Sequence, residues 1–202
     1  VTVVLMLICG LLFPLLLTGL SSLIFPHQAN GSLITVDGMT VGAKNVGQEF
    51  TEDYYMWSRP SAYHYNVYQE DEDGAQYYND GTEFPGLGSG SNNYAASNPA
   101  LTERVEADME TFLEKNPDVK KEDIPTDLLT ASGSGLDPHI SPESAEIQIP
   151  RIAKASGLSE DTIRDIVKRN TDGKLFGMFG ADGVNVLGVN IEIAQNMGIL
   201  ES

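Results

Sequence analysis

The sequence is almost without cysteine, and it has no charged side chain before Asp37. Its single cysteine, Cys9, lies in an apolar run, so the rest of the chain offers neither a disulfide bond nor a thiolate metal site. Basic residues are scarce, with 12 lysines and arginines against 29 acids and a formal net charge of -17. Such a surface repels nucleic acids and anionic lipids and concentrates cations. We therefore expect no nucleic acid among the partners.

Motifs of common enzyme classes are missing as well. Nothing in the chain matches the G-x-x-x-x-G-K-[ST] phosphate loop, and the glycines around Ser132 and Ser134 do not have the spacing of a nucleophile elbow. The three histidines, His27, His64 and His139, lack the spacing of metal ligands. The sequence therefore predicts no catalytic residue and no metal site, and it leaves cofactor-binding residues unknown.

What is present first is a long apolar segment, residues 1–25. A bilayer core about 30 Å thick needs roughly 20 apolar helical residues to cross it. The alternative is a cleaved signal peptide, but that would have an apolar core of about 7–15 residues and a small-residue cleavage site, where His27 stands here. We therefore expect a retained transmembrane helix and a single-pass protein of the cell membrane.

One face of this helix carries small or hydroxylated residues at intervals of four, namely Gly10, Pro14, Thr18 and Ser22. Small residues let two membrane helices approach closely, and hydroxyl groups can bond across the contact. Pro14 removes one helical hydrogen bond and is expected to kink the helix. The pattern predicts an interface with another transmembrane helix. A lone anchor with a chance spacing is the alternative.

Residues 26–202 are predicted to form one acidic, water-soluble domain of the α/β (α+β) class. Two β-prone runs, 33–36 and 39–41, flank Asp37-Gly38 and predict a hairpin. N-cap residues before proline or periodic apolar residues predict helices at 99–115, at 142–155 with an interruption at Pro150, and after Ser159. The β-branched run 184–193 is predicted as a buried strand.

Residues 65–97 are rich in tyrosine, asparagine, glycine and acids, and they predict a polar, acidic surface loop. The acidic run 70–73 does not have calcium-loop spacing, so we expect it to be solvated. Core aromatics are expected upstream, at Phe50, Tyr54, Tyr55 and Trp57. The stretch 151–168 has the pattern of a helix-turn-helix, but the shortage of basic residues argues against DNA binding.

Residues 127–153, DLLTASGSGLDPHISPESAEIQIPRIA, resemble the signature segment of the C subunit (KdpC) of the Kdp-type potassium-transporting P-type ATPase. Similar elements follow family order at 28–33, 46–48, 58–62, 90–92, 97–99 and 184–187. The stretch 65–88 is longer and more acidic than the family pattern, so no role is carried over to it. The resemblance points, without assigning roles, to Gln48, Arg59, Pro60, Ser61, Asn92, Asn98, Pro99, Ser132, Ser134, Asp137, Pro138, His139, Ser141, Pro142 and Asn185.

The resemblance implies a non-catalytic accessory subunit of an ATP-driven potassium uptake complex. Its implied partners are a potassium-channel-like subunit, a P-type ATPase subunit and a small single-span subunit, with ATP bound by the complex and potassium as the transported ion. One implied role is a catalytic chaperone that promotes ATP binding by the ATPase subunit. The other is assembly and shaping of the potassium entrance, with the domain on the extracellular or periplasmic side, which the acidic surface favours. The alternative is a free-standing, membrane-anchored ligand-binding or sensor domain.

Overall fold

A computed structural model of the chain describes residues 1–200. The chain divides into two compact units, the first ending at Asn45 and the second beginning at Val46. The first unit opens with the helix Thr2–Ile24, which is long and apolar enough to cross a membrane. This helix consists of α1 (Thr2–Leu7), a π-helical turn (Ile8–Leu12) and α2 (Phe13–Ile24), and the short α3 (Pro26–Ala29) follows it.

The π-helical turn lies immediately before the proline of the apolar helix. The amide of Phe13 donates to the carbonyl of Ile8, five residues back, and Pro14 has no amide hydrogen to donate. The hydroxyl of Thr18 in turn donates to the Pro14 carbonyl at 2.9 Å. The disturbance expected at Pro14 therefore takes the form of one wide turn in the middle of the helix.

The first unit ends in the predicted hairpin. Strand β1 (Leu33–Val36) pairs antiparallel with β2 (Met39–Ala43), with a bulge between Ile34 and Thr35. Asp37 and Gly38 have positive φ angles of 52° and 77°, as the two central residues of a type I′ turn require. The D-G signal is therefore confirmed.

The second unit mixes helices with small sheets, which confirms an apolar helix followed by an α+β domain. Its helices are α4 (Pro99–Lys115), α5 (Pro142–Glu146), α6 (Ile149–Ser156), α7 (Glu160–Arg169) and α8 (Val186–Asn196). Its strands are β3 (Gln69–Glu70), β4 (Gln76–Tyr77), β5 (His139–Ile140), β6 (Thr171–Asp172) and β7 (Gly183–Asn185). β7 lies between β5 and β6 in an antiparallel sheet, and β3 pairs with β4.

Side-chain caps begin the predicted helices where the sequence places them. Asn98 accepts a hydrogen bond from the amide of Ala100 at 3.0 Å, and Ser159 accepts one from Thr162 at 3.1 Å. Ser141 caps α5 in the same way. The predicted interruption near Pro150 is also confirmed, because the chain leaves α5 at Glu146 and starts α6 at Ile149.

The predicted strand at 184–193 is wrong beyond its first residues. β7 ends at Asn185, and residues 186–196 are helical. The Asn185 side chain accepts a hydrogen bond from the amide of Gly188 at 2.9 Å and so caps α8. Val186, Val189 and Ile193 then fall on one buried helical face. A short β-branched run does not by itself distinguish a buried strand from a buried helix, and the cap decides between them.

The core of the second unit lies between α6, α7, α8 and the three-stranded sheet. Its fully buried side chains include Ile149, Ile152, Ile163, Ile166, Val184, Val189 and Ile193. The predicted aromatic residues Phe50, Tyr55 and Trp57 pack against this core while partly buried, and Tyr54 contacts the ring of Tyr55. The most buried residue of that stretch is Met56, which has no exposed surface.

Residues 65–97 expose their acidic run and also contain an aromatic cluster that the sequence did not predict. Residues 71–74 are exposed at the turn between β3 and β4. Behind them, the rings of Tyr68 and Phe84 stack at 4.5 Å, and Tyr78 meets Phe84 edge-on at 5.3 Å. Tyr78 is only 8% exposed. The exposed acidic turn thus belongs to a hairpin that is flanked by a small aromatic cluster.

Candidate functional site

The structure brings the sequence-predicted residues of two stretches, 58–61 and 130–139, into direct contact. Arg59 is the centre of this contact. Its Nη1 donates to Asp137 Oδ2 at 3.1 Å, while its Nε and Nη2 each donate to the carbonyl of Thr130 at 3.2 Å. We call Arg59, Thr130, Asp137 and His139 the Arg59 cluster. A planar guanidinium suits this task, because its fork reaches a carboxylate and a carbonyl at once.

Ser61 and Tyr65 join the same two stretches through the backbone. The Ser61 hydroxyl donates to the carbonyl of Gly135 at 2.6 Å and accepts from the amides of Tyr63 and Tyr65. The Tyr65 hydroxyl donates to the carbonyls of Arg59 (3.0 Å) and Asp137 (3.3 Å). Burial, with the Asp137 charge assisting, raises the pKa of Tyr65 well above its usual range, so the phenol stays a neutral donor.

The serines of the predicted loop close it on itself. Ser132 accepts from the amide of Gly135 at 2.9 Å, and Ser134 accepts from the amide of Leu136 at 3.1 Å. The carbonyl of Ser134 also accepts from the amide of Gly90 at 2.7 Å. Both hydroxyls therefore hold loop backbone.

Gly47 lets its own segment pack directly against the backbone of residues 136–137. Its amide donates to the carbonyl of Leu136 at 2.9 Å. A Cβ atom at Gly47 would lie 2.7 Å from the carbonyl oxygen of Asp137 and would also collide with the ring of Tyr65. The backbone contact thus requires glycine at this position.

His139 lies between two carboxylates. Its Nδ1 is 3.6 Å from Asp137 Oδ1, and its Nε2 is 3.4 Å from Asp172 Oδ2. Its backbone amide donates to Asp137 Oδ1 at 3.0 Å. Asp137, and after it Asp172, raises the pKa of His139 against the opposing effect of burial. The His139 side chain, helped by Arg59, in turn lowers the pKa of Asp137. His139 is therefore held between two carboxylates, one on its own segment and one on β6.

Ser141 and Pro142 begin α5, and Asp127 fixes that beginning. Asp127 Oδ2 accepts from the amide of Ser141 at 2.7 Å, and Asp127 Oδ1 accepts from the hydroxyls of Ser141 (3.1 Å) and Ser144 (2.7 Å). A carboxylate at a helix N-terminus also interacts favourably with the helix dipole. This arrangement ties the start of the signature segment to its middle.

Pro138, His139 and Asn185 meet where β5 pairs with β7. His139 lies opposite Asn185 in the sheet, and the Pro138 carbonyl accepts from the amide of Val186 at 3.0 Å. Gln48 lies near the other stretch, where its carbonyl accepts from the Ser58 hydroxyl at 3.0 Å.

Other sequence-predicted residues lie apart from the Arg59 cluster. Asn98 and Pro99 form the start of α4. Asn92 is exposed and, with Pro60 and Ser61, lines a cleft of about 560 Å³. In the first unit, the predicted interface row of the apolar helix is exposed along its length: Gly10, Pro14, Thr18 and Ser22.

Two further depressions adjoin the Arg59 cluster. A cleft of about 380 Å³ is lined by Trp57, Arg59, Phe112 and Lys115 among others. A shallower depression of about 640 Å³ is lined on its charged side by Arg59, Asp127, Asp137, His139, Asp172 and Asp182. Within residues 1–200, no group of three or more His, Cys, Asp or Glu side chains has the arrangement of a metal site.

Sequence reasoning missed a buried polar lattice beneath the cluster. The amide side chain of Asn190 bonds both the amide and the carbonyl of Met56 (2.7 and 2.9 Å), and Gln148 bonds those of Trp57 (2.8 and 3.3 Å). Arg151 lies beside them, 8% exposed, with its guanidinium 4.4 Å from the Trp57 ring centroid. The available signal was a polar residue directly beside a buried apolar one: Gln148 before Ile149, Arg151 before Ile152 and Asn190 after Val189.

Comparison with known proteins supports the family resemblance of the signature segment and extends it over nearly the whole chain. The family model of the K+-transporting ATPase c chain (KdpC) matches residues 1–195. The potassium-transporting ATPase KdpC subunit of Clostridium kluyveri is 56% identical over 200 residues, covering 98% of this chain and 92% of the relative. That of Clostridioides difficile is 54% identical, covering 99% and 96%. That of Caldanaerobacter subterraneus is 43% identical, covering 97% and 92%. On this match over nearly its whole length, the chain belongs to the KdpC family.

Proposed function

We propose that this chain is the single-span accessory subunit of an ATP-driven potassium uptake complex and that it works by contact with its partners. The observation that carries the proposal is the match to the family over residues 1–195. The environment of the signature segment supports it. Arg59 and Ser61 donate hydrogen bonds to backbone carbonyls of this segment, and Ser132 and Ser141 accept from its backbone amides, so these side chains serve as a scaffold for it.

Copurification tests the accessory role. Extraction of the membrane in mild detergent should recover the chain together with a channel-like subunit, a P-type ATPase subunit and a small single-span subunit. A free-standing sensor domain would instead purify alone and monodisperse. Recovery of the chain alone under conditions that keep the other subunits together would refute the proposal.

The transmembrane face is our proposed contact within the membrane. Gly10 and Thr18 belong to the row of small or hydroxylated residues. The π-helical turn that contains Gly10, and Pro14 after it, disturb the regular backbone bonding, which in lipid must be satisfied by another group. Gly10→Leu with Thr18→Leu should reduce copurification while membrane insertion stays normal. The control is Leu12→Val with Leu16→Val on the opposite face. Equal copurification of the two double variants would contradict this contact.

We place the acidic domain on the extracellular or periplasmic side, where its net charge of -17 can attract potassium. A chaperone effect on ATP binding is then transmitted through the membrane helix, not made by contact with the nucleotide. Asp73→Cys in a Cys9→Ser background tests the side, because Asp73 is exposed. An impermeant maleimide should label it on intact cells. Labelling only after permeabilisation would place the domain in the cytoplasm and favour direct ATP contact.

The acidic turn tests the electrostatic part of the proposal. Asp71 closes this turn by accepting from the amides of Asp73 (3.0 Å) and Ala75 (2.8 Å), so it is left unchanged. Glu70→Gln, Glu72→Gln and Asp73→Asn together should weaken apparent potassium affinity at low ionic strength and leave the maximal rate unchanged. The effect should shrink with added choline salt, since the Debye length is about 10 Å at 0.1 M. An affinity loss that is independent of salt would refute the mechanism.

A further inference from the structure

The loop that joins β6 to β7 displays an unpartnered apolar tip. Its exposed side chains are Leu175 (63% exposed), Phe176 (84%), Met178 (74%) and Phe179 (62%). We call these four residues the apolar tip. Large apolar side chains concentrated in a single five-residue turn differ from the scattered exposed leucine that any soluble surface carries.

The backbone of the tip is hydrogen-bonded, so these side chains are held outwards. The amide of Leu175 donates to the carbonyl of Phe179 at 2.8 Å, and the amide of Met178 donates to the carbonyl of Leu175 at 3.2 Å. At the base, the amide of Lys174 donates to Asp182 Oδ1 at 3.1 Å. The tip is therefore the closed end of the β6–β7 hairpin.

Phe176 has a backbone conformation that is unfavourable for phenylalanine. Its φ is +54° and that of Gly177 is +72°, the signs of a type I′ turn, whose first central position prefers Asn, Asp or Gly. A phenylalanine there carries backbone strain, and with 84% of its surface exposed it gains little packing in return. The aromatic ring is thus best explained by a contact outside the chain.

The size and charge of the surface restrict what can cover it. The four side chains offer on the order of 500 Å² of apolar surface, less than the roughly 800 Å² per partner of a stable interface. The tip is therefore too small to hold a second copy of the chain by itself. It carries one cation, Lys174, between Asp172 and Asp182 on a chain of net charge -17, which opposes an anionic lipid surface.

We propose, resting on the accessory function proposed above, that the apolar tip inserts into an apolar pocket, bordered by basic side chains, on another subunit of the membrane complex. A small contact suffices there, because the chain is already held in the complex and docking of the tip is effectively intramolecular. The basic border complements the net charge of -17 that the chain carries.

Photocrosslinking in the intact complex tests which molecule contacts the apolar tip. A photoreactive phenylalanine analogue is placed at Phe176 and, as the matched control, at Leu87, which is 83% exposed in another loop. The proposal predicts a strong crosslink from position 176 to another subunit and a much weaker one from position 87. Crosslinks from position 176 only to lipid or to a second copy of the chain, or no excess over position 87, would overturn it.

Phe176→Asn separates docking from folding. Asparagine suits the turn, so the thermal unfolding midpoint of the chain should stay equal or rise. Loss of one buried phenylalanine contact should weaken the affinity of the chain for the rest of the complex in detergent about tenfold, and recovery of the complex should fall accordingly. Leu87→Asn should leave recovery unchanged. Full recovery of the Phe176→Asn complex, or an equal loss with Leu87→Asn, would overturn the proposal.

Discussion

Arg151→Lys tests whether the buried lattice depends on guanidinium geometry or only on a positive charge. The Arg151 donors reach four different residues: Nε donates to Asn116 Oδ1 (3.1 Å), Nη1 to the carbonyls of Asp53 (2.5 Å) and Tyr55 (3.0 Å), and Nη2 to Gln148 Oε1 (2.9 Å). Burial lowers the pKa of Arg151 to about 10, so the group remains charged at neutral pH.

The size of the effect follows from these acceptors. Lysine keeps the charge but has three donors on one nitrogen, so it leaves at least one acceptor, and on geometric grounds two, without a donor. Each buried polar group left unpaired costs about 1–3 kcal/mol. Loss of the guanidinium stacked on Trp57 costs about 1 kcal/mol more. With two acceptors left unpaired, we therefore expect Arg151→Lys to lower the free energy of unfolding by about 3–7 kcal/mol.

Urea titration of the full-length chain in detergent measures this loss. Trp57 is the only tryptophan, and it contacts Arg151, so its fluorescence follows the opening of the lattice directly. With a slope of about 1–3 kcal/mol per molar urea, the midpoint should fall by at least about 1 M. Lys154→Gln, on the exposed side of the same helix, should change stability by less than about 0.5 kcal/mol. Equal midpoints for the two variants would refute the role of the guanidinium.

Two further perturbations address the Arg59 cluster. The pKa of His139 is raised in the folded chain, so its stabilising contribution is complete below its ordinary value of 6.5 and is lost as the pH rises through the raised value. His139→Gln should reduce the dependence of the unfolding midpoint on pH in that interval. An unchanged dependence would contradict the stabilising role of the His139 charge. Gly47→Ala should cost about 1–3 kcal/mol through collision with Asp137 and Tyr65, measured by thermal unfolding. Gly133→Ala, with open space around it, should cost little, and equal losses would refute the close approach.

Local signals predicted much of the fold because they act over a few residues. Asp37-Gly38 fixes a turn through its own backbone angles, and Asn98 and Ser159 satisfy amides two or three residues away. Such preferences are nearly independent of the rest of the molecule. They gave the hairpin, the beginnings of α4 and α7, and the class of the domain.

Long-range polar contacts could not be predicted in the same way. Met56 lies in an extended segment that completes its bonding with the amide side chain of Asn190, 134 residues away, instead of with a neighbouring strand. The pattern of apolar residues along a segment does not indicate that a distant side chain will bond its backbone. The run from Val186 onward was misassigned for a related reason, because its apolar residues are compatible with either period until the cap at Asn185 is known.

Polar side chains in and around the signature segment are engaged in hydrogen bonds that hold its own backbone. Arg59 is engaged by Thr130 and Asp137, the Ser132 hydroxyl by the amide of Gly135, and Ser141 by Asp127. Each of these groups stabilises backbone that must hold a fixed path between α4 and α5. A change in one of them therefore alters the shape presented to partner subunits before it alters any reaction. Defects in ATP hydrolysis caused by such changes should follow the loss of assembled complex, and turnover per assembled complex should be nearly preserved.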